Sequence, residues 1–331
     1  MKTVLVTGGA GFIGSHLADE LLKNNYKVVI IDDLSGGSKD NIPKHIKFVK
    51  GSITNTKLVK KLFSKYKFDY VFHLAAYAAE GLSHHIRKFN YENNLMGSIN
   101  LINESIRYNI KCFVFTSSMA VYGTNQVPLK ENLTPMPEDP YGIAKAAVEK
   151  DLKAANEMFG LNYIIFRPHS VYGERQNIND RYRNVIGIFM NQIMQGKSLT
   201  VYGDGNQTRA FSYIGDIVPI IANSIKFKNA YNQIFNVGAD GPCTINQLAE
   251  NVKKAMNSKV KIKHLKQRFE VTHAYPSHEK ANKIFGRKKS IPFEKGLKRM
   301  ADWVKKNGIK KQSIFKNIEI TKNLHPNWRV K

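Results

Sequence analysis

The sequence predicts an α/β protein built on a doubly wound parallel sheet, and three observations lead there. In the first half of the 331-residue chain, short apolar segments that fit strands alternate with longer amphipathic segments that fit helices. The strand candidates are almost continuously apolar, as expected where helices cover both faces of a sheet. A glycine-rich turn directly follows the first strand, Thr3–Thr7. Such sheets bind ligands in a crevice at the carboxyl ends of their strands.

Six strands and four helices are predicted before residue 170. The strands are residues 4–7, 28–32, 46–49, 70–74, 113–117 and 163–166, and the helices lie near 13–23, 58–66, 94–107 and 141–159. The alternation then weakens, except for a strand-like segment at 234–237 that is expected to return to the sheet. We therefore expect one domain from residues 1–168 plus about 211–238, and a smaller, discontinuous C-terminal domain from 169–210 plus 239–331.

The composition indicates a globular protein. Hydrophobic residues make up 42% of the chain and charged residues 23%. No apolar run approaches the ~20 residues that a membrane span needs, and no signal peptide pattern precedes the first strand. Cys112 and Cys243 are too few for a disulfide scaffold and too far apart for a local metal pair. We expect a cytoplasmic protein with no membrane partner and no metal site.

The net charge of +25 raises the question of nucleic-acid binding. The lysines are spread along the chain, and no pattern of an RNA- or DNA-binding module accompanies them. Charge of this kind favours non-specific association and does not define a function. Nucleic acid is therefore not expected as a partner, and a nucleic-acid-associated protein stays open as a remote alternative on charge alone.

The glycine-rich turn indicates a dinucleotide site. Gly8, Gly11 and Gly14 follow a strand and open a helix, and Asp32 ends the next strand 18 residues after Gly14. Close backbone approach and a helix N-terminus suit a pyrophosphate, and the carboxylate suits ribose hydroxyls. No arginine stands beside Asp32 in the sequence, which favours NAD over NADP. A Rossmann-like domain follows from this; the alternative is a tight turn with an aspartate that caps a helix.

A second group of residues indicates acid–base chemistry. Tyr141 and Lys145 are four residues apart on a predicted helix, so they share one face. A nearby ammonium stabilises a phenolate, so we expect the pKa of Tyr141 to fall from ~10 toward neutrality and the residue to act as a general base. Ser118 follows a strand end, where it would face the same crevice. Alone, the Tyr–Lys pair would also fit an ordinary surface helix.

Seven motifs together give the chain a family resemblance over nearly its whole length. They are residues 7–14, 32–35, 73–76, 118–123, 141–145, 167–173 and 203–213. With these motifs the chain resembles the extended short-chain dehydrogenase/reductase family, and within it the branch similar to UDP-glucose 4-epimerase, an NAD-dependent epimerase/dehydratase type. The resemblance implies that the first domain binds NAD and the second binds a nucleotide sugar.

The resemblance also implies individual site residues. The catalytic set would be Ser118, Tyr141 and Lys145. The cofactor would be bound by Gly8, Gly11, Phe12, Ile13, Gly14, Asp32, Asp33, Leu34, Ser35, Gly36, Ser52, Ile53, Leu74, Ala75, Ala76, Asn94, Ser117, Tyr141, Lys145 and His169. The substrate would be bound by Ser118, Tyr141, Ser170, Asn184, Tyr202, Arg209, Arg268 and Tyr275. Two arginines suit a diphosphate because each can bind it bidentately, although by themselves they would pass for surface residues.

The reaction that the resemblance implies is C4 epimerisation of a UDP-hexose of the glucose/galactose type through a transient 4-keto intermediate. Related dehydratases and decarboxylases carry acidic residues just after the strand-end serine or threonine. Here Met119 and Ala120 stand at those places and cannot transfer protons. The alternatives are epimerisation of a UDP-N-acetylhexosamine or UDP-glucuronate, a dehydratase or ketoreductase, and, remotely, a non-catalytic dinucleotide-binding protein.

Several positions depart from the pattern of the family. Ser52 stands where an aspartate usually meets the adenine, Ser170 replaces an asparagine, and Ala210 replaces an acid. The segment 77–81 near the expected sugar pocket also differs, which leaves the identity of the hexose open. By resemblance the protein is a homodimer, joined by the helices near 94–107 and 141–159.

Overall fold

The computed structural model describes residues 1–180, 182–267, 272–286, 290–309, 315–325 and 328. The strands are β1 (Thr3–Thr7), β2 (Lys27–Asp32), β3 (Lys47–Lys50), β4 (Tyr70–His73), β5 (Cys112–Thr116), β6 (Tyr163–Pro168), β7 (Val171–Tyr172), β8 (Leu199–Tyr202), β9 (Thr208–Ala210), β10 (Ser212–Tyr213), β11 (Gln233–Val237), β12 (Pro242–Thr244), β13 (Ile262–Leu265) and β14 (His273–Ala274). The helices are α1 (Phe12–Lys23), α2 (Thr56–Tyr66), α3 (Glu80–Ser83), α4 (Arg87–Tyr91), α5 (Gly97–Arg107), α6 (Pro140–Phe159), α7 (Val185–Met194), α8 (Ile214–Asn223), α9 (Ile245–Met256), α10 (Glu279–Phe285) and α11 (Phe293–Asn307).

A parallel sheet forms the centre of the molecule. Among the described residues it has seven strands in the order β11-β6-β5-β4-β1-β2-β3. The prediction of a Rossmann-like, doubly wound α/β fold is therefore confirmed. The chain winds outward in both directions from β1, so the strand order reverses between β1 and β4. This reversal opens a crevice at the carboxyl ends of the strands, which is where such folds bind ligands.

Alternate side chains of each strand enter two separate hydrophobic clusters. Val4 and Val6 of β1 pack on one face of the sheet beside α1 and α8, whereas Leu5 packs on the other face beside α2, α5 and α6. Both faces are thus covered by helices, which explains why the strands are apolar at nearly every position. The first cluster continues into the second half of the chain through α7, α9 and α11. The substrate side of the crevice is thereby packed onto the same core.

The observed helices match the predicted ones, with one difference. Instead of one helix near 94–107, the chain forms α4, a single π-helical turn over Glu92–Met96, and then α5. In the π turn, the Asn94 side chain accepts a hydrogen bond from Tyr77 N (2.8 Å) and donates to Tyr77 O (3.1 Å). These bonds fasten the helix to the loop that follows β4. Helical periodicity could not predict this π-helical turn, because the turn accompanies the contact between Asn94 and Tyr77.

The remainder of the chain forms small sheets and helices above the carboxyl edge of the large sheet. They pair β8 with β13, β7 with β10, and β9 with both β12 and β14. In the parts of the chain that the structure describes, no helix is long and apolar enough to cross a membrane.

Candidate active site

One continuous cavity of about 1220 Å³ lies at the carboxyl ends of the central strands. It exceeds the ~300–1,000 Å³ typical of a site for one small ligand, so it offers space for two. The predicted residues that line it are Gly8, Gly11, Phe12, Ile13, Gly14, Asp32, Asp33, Ser35, Gly36, Ser52, Ile53, Leu74, Ala75, Ala76, Ser117, Ser118, Tyr141, Lys145, His169, Ser170, Asn184, Tyr202 and Arg209. The structure therefore brings most of the predicted cofactor and substrate residues to one place.

Three predicted residues of the described part of the chain do not line the cavity. They are Leu34, Asn94 and Tyr275, although Ala274 next to Tyr275 does line it. Leu34 N donates to Asp32 Oδ1 (2.8 Å), so Leu34 helps to orient the carboxylate that lines the cavity. Arg268 lies outside the described residues.

The glycine turn has the shape that a bound pyrophosphate requires. Gly8 adopts a φ of +70°, and a Cβ on Gly14 would lie 2.1 Å from Gly8 O, so α1 can approach the loop only without a side chain there. No side chain caps α1, whose first turn (Phe12 and Ile13) lines the cavity. The amides of that turn and the helix dipole therefore present a site for a negatively charged group.

Asp32 lies at the end of β2 with only 8% of its surface exposed. Its carboxylate accepts hydrogen bonds from Ala10 N (3.0 Å) and Leu34 N (2.8 Å), which fix its orientation. Burial raises the pKa of Asp32, and these amide bonds oppose that rise. The second lone pairs of its oxygens remain available to ribose hydroxyls.

A buried hydrogen-bond chain supports the loop that follows β4. Ser98 Oγ donates to Asn94 O (2.8 Å), so it accepts from His73 Nε2–H (2.8 Å). His73 Nδ1 then accepts from Thr7 Oγ1 (2.7 Å), which itself accepts the amides of Leu74 and Ala75 (3.1 Å each). Burial lowers the pKa of His73 well below its usual value, in keeping with this neutral ring. The sequence could not predict the roles of Thr7 and Ser98, because the hydrogen-bonded residues come from three separate elements.

Ser118, Tyr141 and Lys145 meet where β5 and α6 approach each other. Asp139 caps α6 by accepting from Gly142 N (3.0 Å), and Pro140 follows it at the first helical position. The Tyr141 hydroxyl is hydrogen-bonded to Ser118. Lys145 Nζ donates to Thr116 O (2.8 Å) and lies 5.8 Å from the centre of the Tyr141 ring. These contacts place a phenol, a hydroxyl and an amine at one end of the cavity.

The pKa values of this group differ from the sequence-based expectation. Burial raises the pKa of Tyr141, the charge of Glu80 adds to the rise, and the hydrogen bond from Ser118 opposes it. Burial also lowers the pKa of Lys145 to about 7, against the pull of Glu149. The expected fall of the tyrosine pKa is therefore not present in the protein alone, because desolvation of the phenolate outweighs the hydrogen bond with Ser118 and the charge of Arg183. A positively charged group bound in the cavity would lower the pKa of Tyr141.

A buried ion pair lies next to Ser117, at the end of β5, and one helical turn from Lys145. Arg167 and Glu149 are paired with side-chain exposures of 1% and 5%, and Ser117 Oγ also donates to Glu149. The Arg167 guanidinium lies 4.6 Å from the centre of the Tyr122 ring. Glu149 is four residues after Lys145, so the pair links α6, β6 and the end of β5. Neither residue was predicted from the sequence, where the Lys145–Glu149 helical spacing was the available signal.

The predicted substrate residues at the cavity make mostly backbone contacts. Arg209 Nη1 donates to Thr208 O (2.8 Å) and Thr272 O (3.0 Å), and Asn184 Nδ2 donates to Val171 O (2.6 Å). These bonds hold the side chains of β9 and of the start of α7 at the cavity wall. Ser170 and Tyr202 lie along the same side.

Further lining residues stand near the reacting group and were not among the predicted site residues. They are Tyr77, Glu80 and Gly81 of the loop and helix after β4, with Tyr182 and Arg183 of the opposite wall. The Arg183 guanidinium lies 5.0 Å from the centre of the Tyr77 ring and pairs with Asp180. The departure of segment 77–81 from the family pattern was the signal for this part of the wall.

Residues 4–238 match the NAD dependent epimerase/dehydratase family. The chain belongs to this family. It is 36% identical over 307 residues to a putative UDP-glucose 4-epimerase from Methanocaldococcus jannaschii, covering 92% of this chain and 99% of the relative. The fold is that of nucleotide-sugar epimerases and dehydratases, and the chain is an enzyme of that class.

Two solved structures resemble the whole fold. A UDP-glucose 4-epimerase from Thermotoga maritima with UDP-glucose has a TM-score of 0.88 and 33% identity, covering 92% of this chain and 99% of its own. A UDP-N-acetylglucosamine 4-epimerase from Methanobrevibacter ruminantium, in complex with UDP-N-acetylmuramic acid, has a TM-score of 0.87 and 35% identity, covering 93% and 99%. The two differ in their sugars, so the likeness supports a nucleotide-sugar enzyme and leaves the hexose open.

The cofactor of the family is NAD, as the sequence predicted. The residues of this chain fit it. The glycine turn leaves room that a single Cβ would fill, uncapped amides face the cavity, and Asp32 stands at the end of β2. In the described part of the chain, no group of three or more histidine, cysteine, aspartate or glutamate side chains is arranged to hold a metal ion.

Proposed function

We propose that this enzyme epimerises a UDP-hexose of the glucose/galactose type at C4, with NAD as a recycled cofactor. The observation that carries the proposal is the meeting of Ser118, Tyr141 and Lys145 in a cavity large enough for both ligands. The three groups suit proton transfer at one sugar hydroxyl. They lie opposite the glycine turn and Asp32, which suit the dinucleotide.

Tyr141 acts as the base that removes the proton of the C4 hydroxyl. Ser118 is hydrogen-bonded to Tyr141 and shares the path of that proton. Lys145, in its ammonium form, stabilises the phenolate electrostatically. NAD, held by the glycine turn and Asp32, would supply the hydride acceptor and donor for C4. Tyr141 then gives the proton back to the oxygen of the 4-keto sugar.

The neighbouring side chains argue against elimination of water. Met119 and Ala120 line the cavity directly after Ser118, at the places where dehydratases of the family carry acids. Neither side chain can remove the C5 proton or protonate the C6 oxygen. Reversible transfer at C4 therefore remains the chemistry that this strand end supports.

The substrate half of the cavity suits a nucleoside diphosphate. We propose that Arg209, with Asn184, Tyr202 and Ser170, binds the UDP portion, and that Arg268 adds a second cation. In this division residues 1–168 and 211–238 hold NAD, while 169–210 and 239–331 hold the nucleotide sugar. Calorimetry of Arg209→Ala should show weaker binding of UDP and unchanged binding of NAD; equal weakening of both would contradict the division.

The function is tested by incubating the purified enzyme separately with UDP-glucose, UDP-N-acetylglucosamine and UDP-glucuronate, without added NAD. Chromatography should show conversion of UDP-glucose to UDP-galactose, because the purified enzyme would retain NAD and recycle it in each turnover. Preferential conversion of another sugar would move the assignment to that hexose. A keto or unsaturated product, or a strict requirement for added reduced cofactor, would refute epimerisation.

A further inference from the structure

A segment of the chain follows the last helix, α11, which ends at Asn307. Residues 315–325 and Trp328 belong to this part of the chain, and we call them the C-terminal strap.

The strap is anchored on the first half of the molecule. The Glu319 carboxylate accepts the amides of Lys88 and Phe89 (2.8 Å each) at the start of α4. The amide of Glu319 donates to His85 O (2.9 Å), and His85 Nδ1 donates to Ile320 O (2.8 Å). A charged carboxylate forms stronger hydrogen bonds than a neutral group, so Glu319 fixes the path of the strap.

Aromatic contacts complete the attachment. The Phe315 ring lies 4.9 Å from Phe89 and 5.3 Å from Tyr77, measured between ring centres. Phe315 N donates to Tyr182 OH (3.2 Å). With Ala79, Leu82 and Ile86 these rings form a hydrophobic cluster separate from the two faces of the sheet. The strap therefore packs against both walls of the cavity.

Trp328 closes the cavity between those walls. A Cβ on Gly81 would lie 3.0 Å from Trp328 Cη2, so the indole rests on the backbone of α3. The centre of its ring is 5.6 Å from that of Tyr182 on the opposite wall. Trp328, Leu324 and His325 all line the same cavity as Tyr141. A larger residue at position 81 would displace the indole from this place.

The strap lies on the substrate side of the cavity. Trp328 rests on Gly81, and the adjacent Glu80 is close enough to Tyr141 to raise its pKa. Further along, the His325 ring lies 5.7 Å from that of Tyr202, which is proposed to bind the nucleotide. The strap thus runs from the reacting end toward the nucleotide end, and away from the glycine turn. Indole and leucine side chains suit the apolar C–H face of a sugar ring.

We propose that Trp328 is a specificity-determining residue that contacts the hexose of the bound nucleotide sugar, and that Glu319 positions it. The identity of the ligand rests on the proposed function. The arrangement restricts the size of the sugar at the reacting end, since the indole occupies the space between α3 and Tyr182. Trp328 does not take part in proton or hydride transfer.

A fluorescence experiment tests the contact without activity. The chain has two tryptophans, so Trp303→Phe leaves Trp328 as the sole indole reporter. Titration of this variant with UDP-glucose should give a saturable change in tryptophan emission, whereas UDP alone should give a much smaller change. If calorimetry shows that UDP-glucose binds and the emission matches that with UDP, the contact is refuted, while epimerisation is unaffected. If no UDP-sugar is turned over but the emission still responds, the proposed reaction fails and the contact stands.

Kinetics test the effect on specificity. Trp328→Ala should raise KM for UDP-glucose roughly tenfold, the equivalent of one lost aromatic contact, with a smaller change in kcat. It should also shift the preference toward the bulkier UDP-N-acetylglucosamine. Glu319→Gln, which lies outside the cavity, should also raise KM. Glu250→Gln, at an exposed position of α9, is the matched control. Unchanged KM and unchanged sugar preference in Trp328→Ala, in a variant that retains NAD, would overturn the proposal.

Discussion

The hydroxyl of Tyr141 is the residue-scale feature on which the proposed chemistry depends. The side chain is buried, which raises its pKa, whereas its hydrogen bond with Ser118 and the charge of Arg183 favour the phenolate. Its neighbour Lys145 has a pKa lowered to about 7, so the charge of Lys145 depends on conditions near neutrality. We therefore expect the proposed base to need a further positive charge in the cavity.

Replacing Tyr141 with phenylalanine should remove the base and leave the packing in place. We expect kcat to fall about 10²–10⁴-fold, the usual contribution of a general base, with unchanged cofactor content. Ser118→Ala should lower kcat less, because the phenol can still reach the substrate. Steady-state rates with UDP-glucose, together with the cofactor absorbance of the purified protein, provide the measurement. Tyr141→Phe with full activity would remove this residue from the mechanism.

Single residues also show what the sequence can and cannot predict. Gly8, Gly14, Asp32 and Tyr141 were predictable because each serves a local requirement of a strand end or a helix turn. The identity of residues that meet across elements was not predictable in this way. The bonds from His73 to Thr7 and Ser98 join three elements, and no pattern along the chain records them.

At the scale of elements, α6 carries the proposed catalytic residues Tyr141 and Lys145 together with Glu149, the acid beside them. Glu149 lies one turn after Lys145, raises its pKa, and is bound by Ser117 and Arg167. One helix thus aligns the reacting groups with the ends of β5 and β6. Periodicity predicted the helix to within one residue, but the partner on β6 depends on the order of strands in the sheet.

Glu149→Gln should affect both stability and the pH profile. Removing one partner leaves Arg167 as an uncompensated buried charge, which costs about 3–5 kcal/mol of unfolding free energy. The pKa of Lys145 should also fall, so kcat should decrease more at pH 8 than at pH 6. Denaturant unfolding and the pH dependence of kcat are the two measurements.

A double variant separates these two effects. Glu149→Leu combined with Arg167→Met replaces the ion pair with apolar side chains, which often restores stability. We expect the unfolding midpoint to recover while the alkaline limb of the kcat profile stays displaced. A profile identical to that of the parent enzyme would show that the ion pair as a whole does not set the pKa of Lys145.

At the scale of the whole molecule, buried histidines make stability depend on pH. Burial, reinforced by the nearby His278, lowers the pKa of His169 to about 3, and burial lowers those of His73 and His16 as well. Between the unfolded value of ~6.5 and these native values, the unfolded chain binds protons that the native protein does not. Stability is therefore complete above about pH 6.5 and is lost as the pH falls below it.

Lowering the pH from 7.5 to 5 should reduce the unfolding free energy by about 2 kcal/mol through His169 alone. Urea unfolding at both pH values gives the difference. His169→Gln should show a smaller loss than the parent protein, since a glutamine does not titrate. Equal losses in both proteins would show that His169 does not contribute.

The molecule also exposes apolar side chains on the helices that the resemblance assigns to a dimer. Met96 is 54% exposed next to α5, and Met158 and Phe159 at the end of α6 are 74% and 63% exposed. We propose a homodimer through these helices. Sedimentation should show dimers for the parent and monomers for Met158→Lys with Phe159→Lys. A dimer that persists in this variant would place the interface elsewhere.

The two edges of the large sheet have a consequence for how copies of the protein behave at high concentration. β3 forms one edge with only four residues, and exposed lysines, Lys47 and Lys50, stand at its ends. At the other edge, the amide of Asn236 in β11 is already occupied by Glu131 (2.8 Å). Short edge strands that carry lysines disfavour strand pairing between molecules. We therefore expect Lys47 and Lys50 to oppose aggregation through the β3 edge of the sheet.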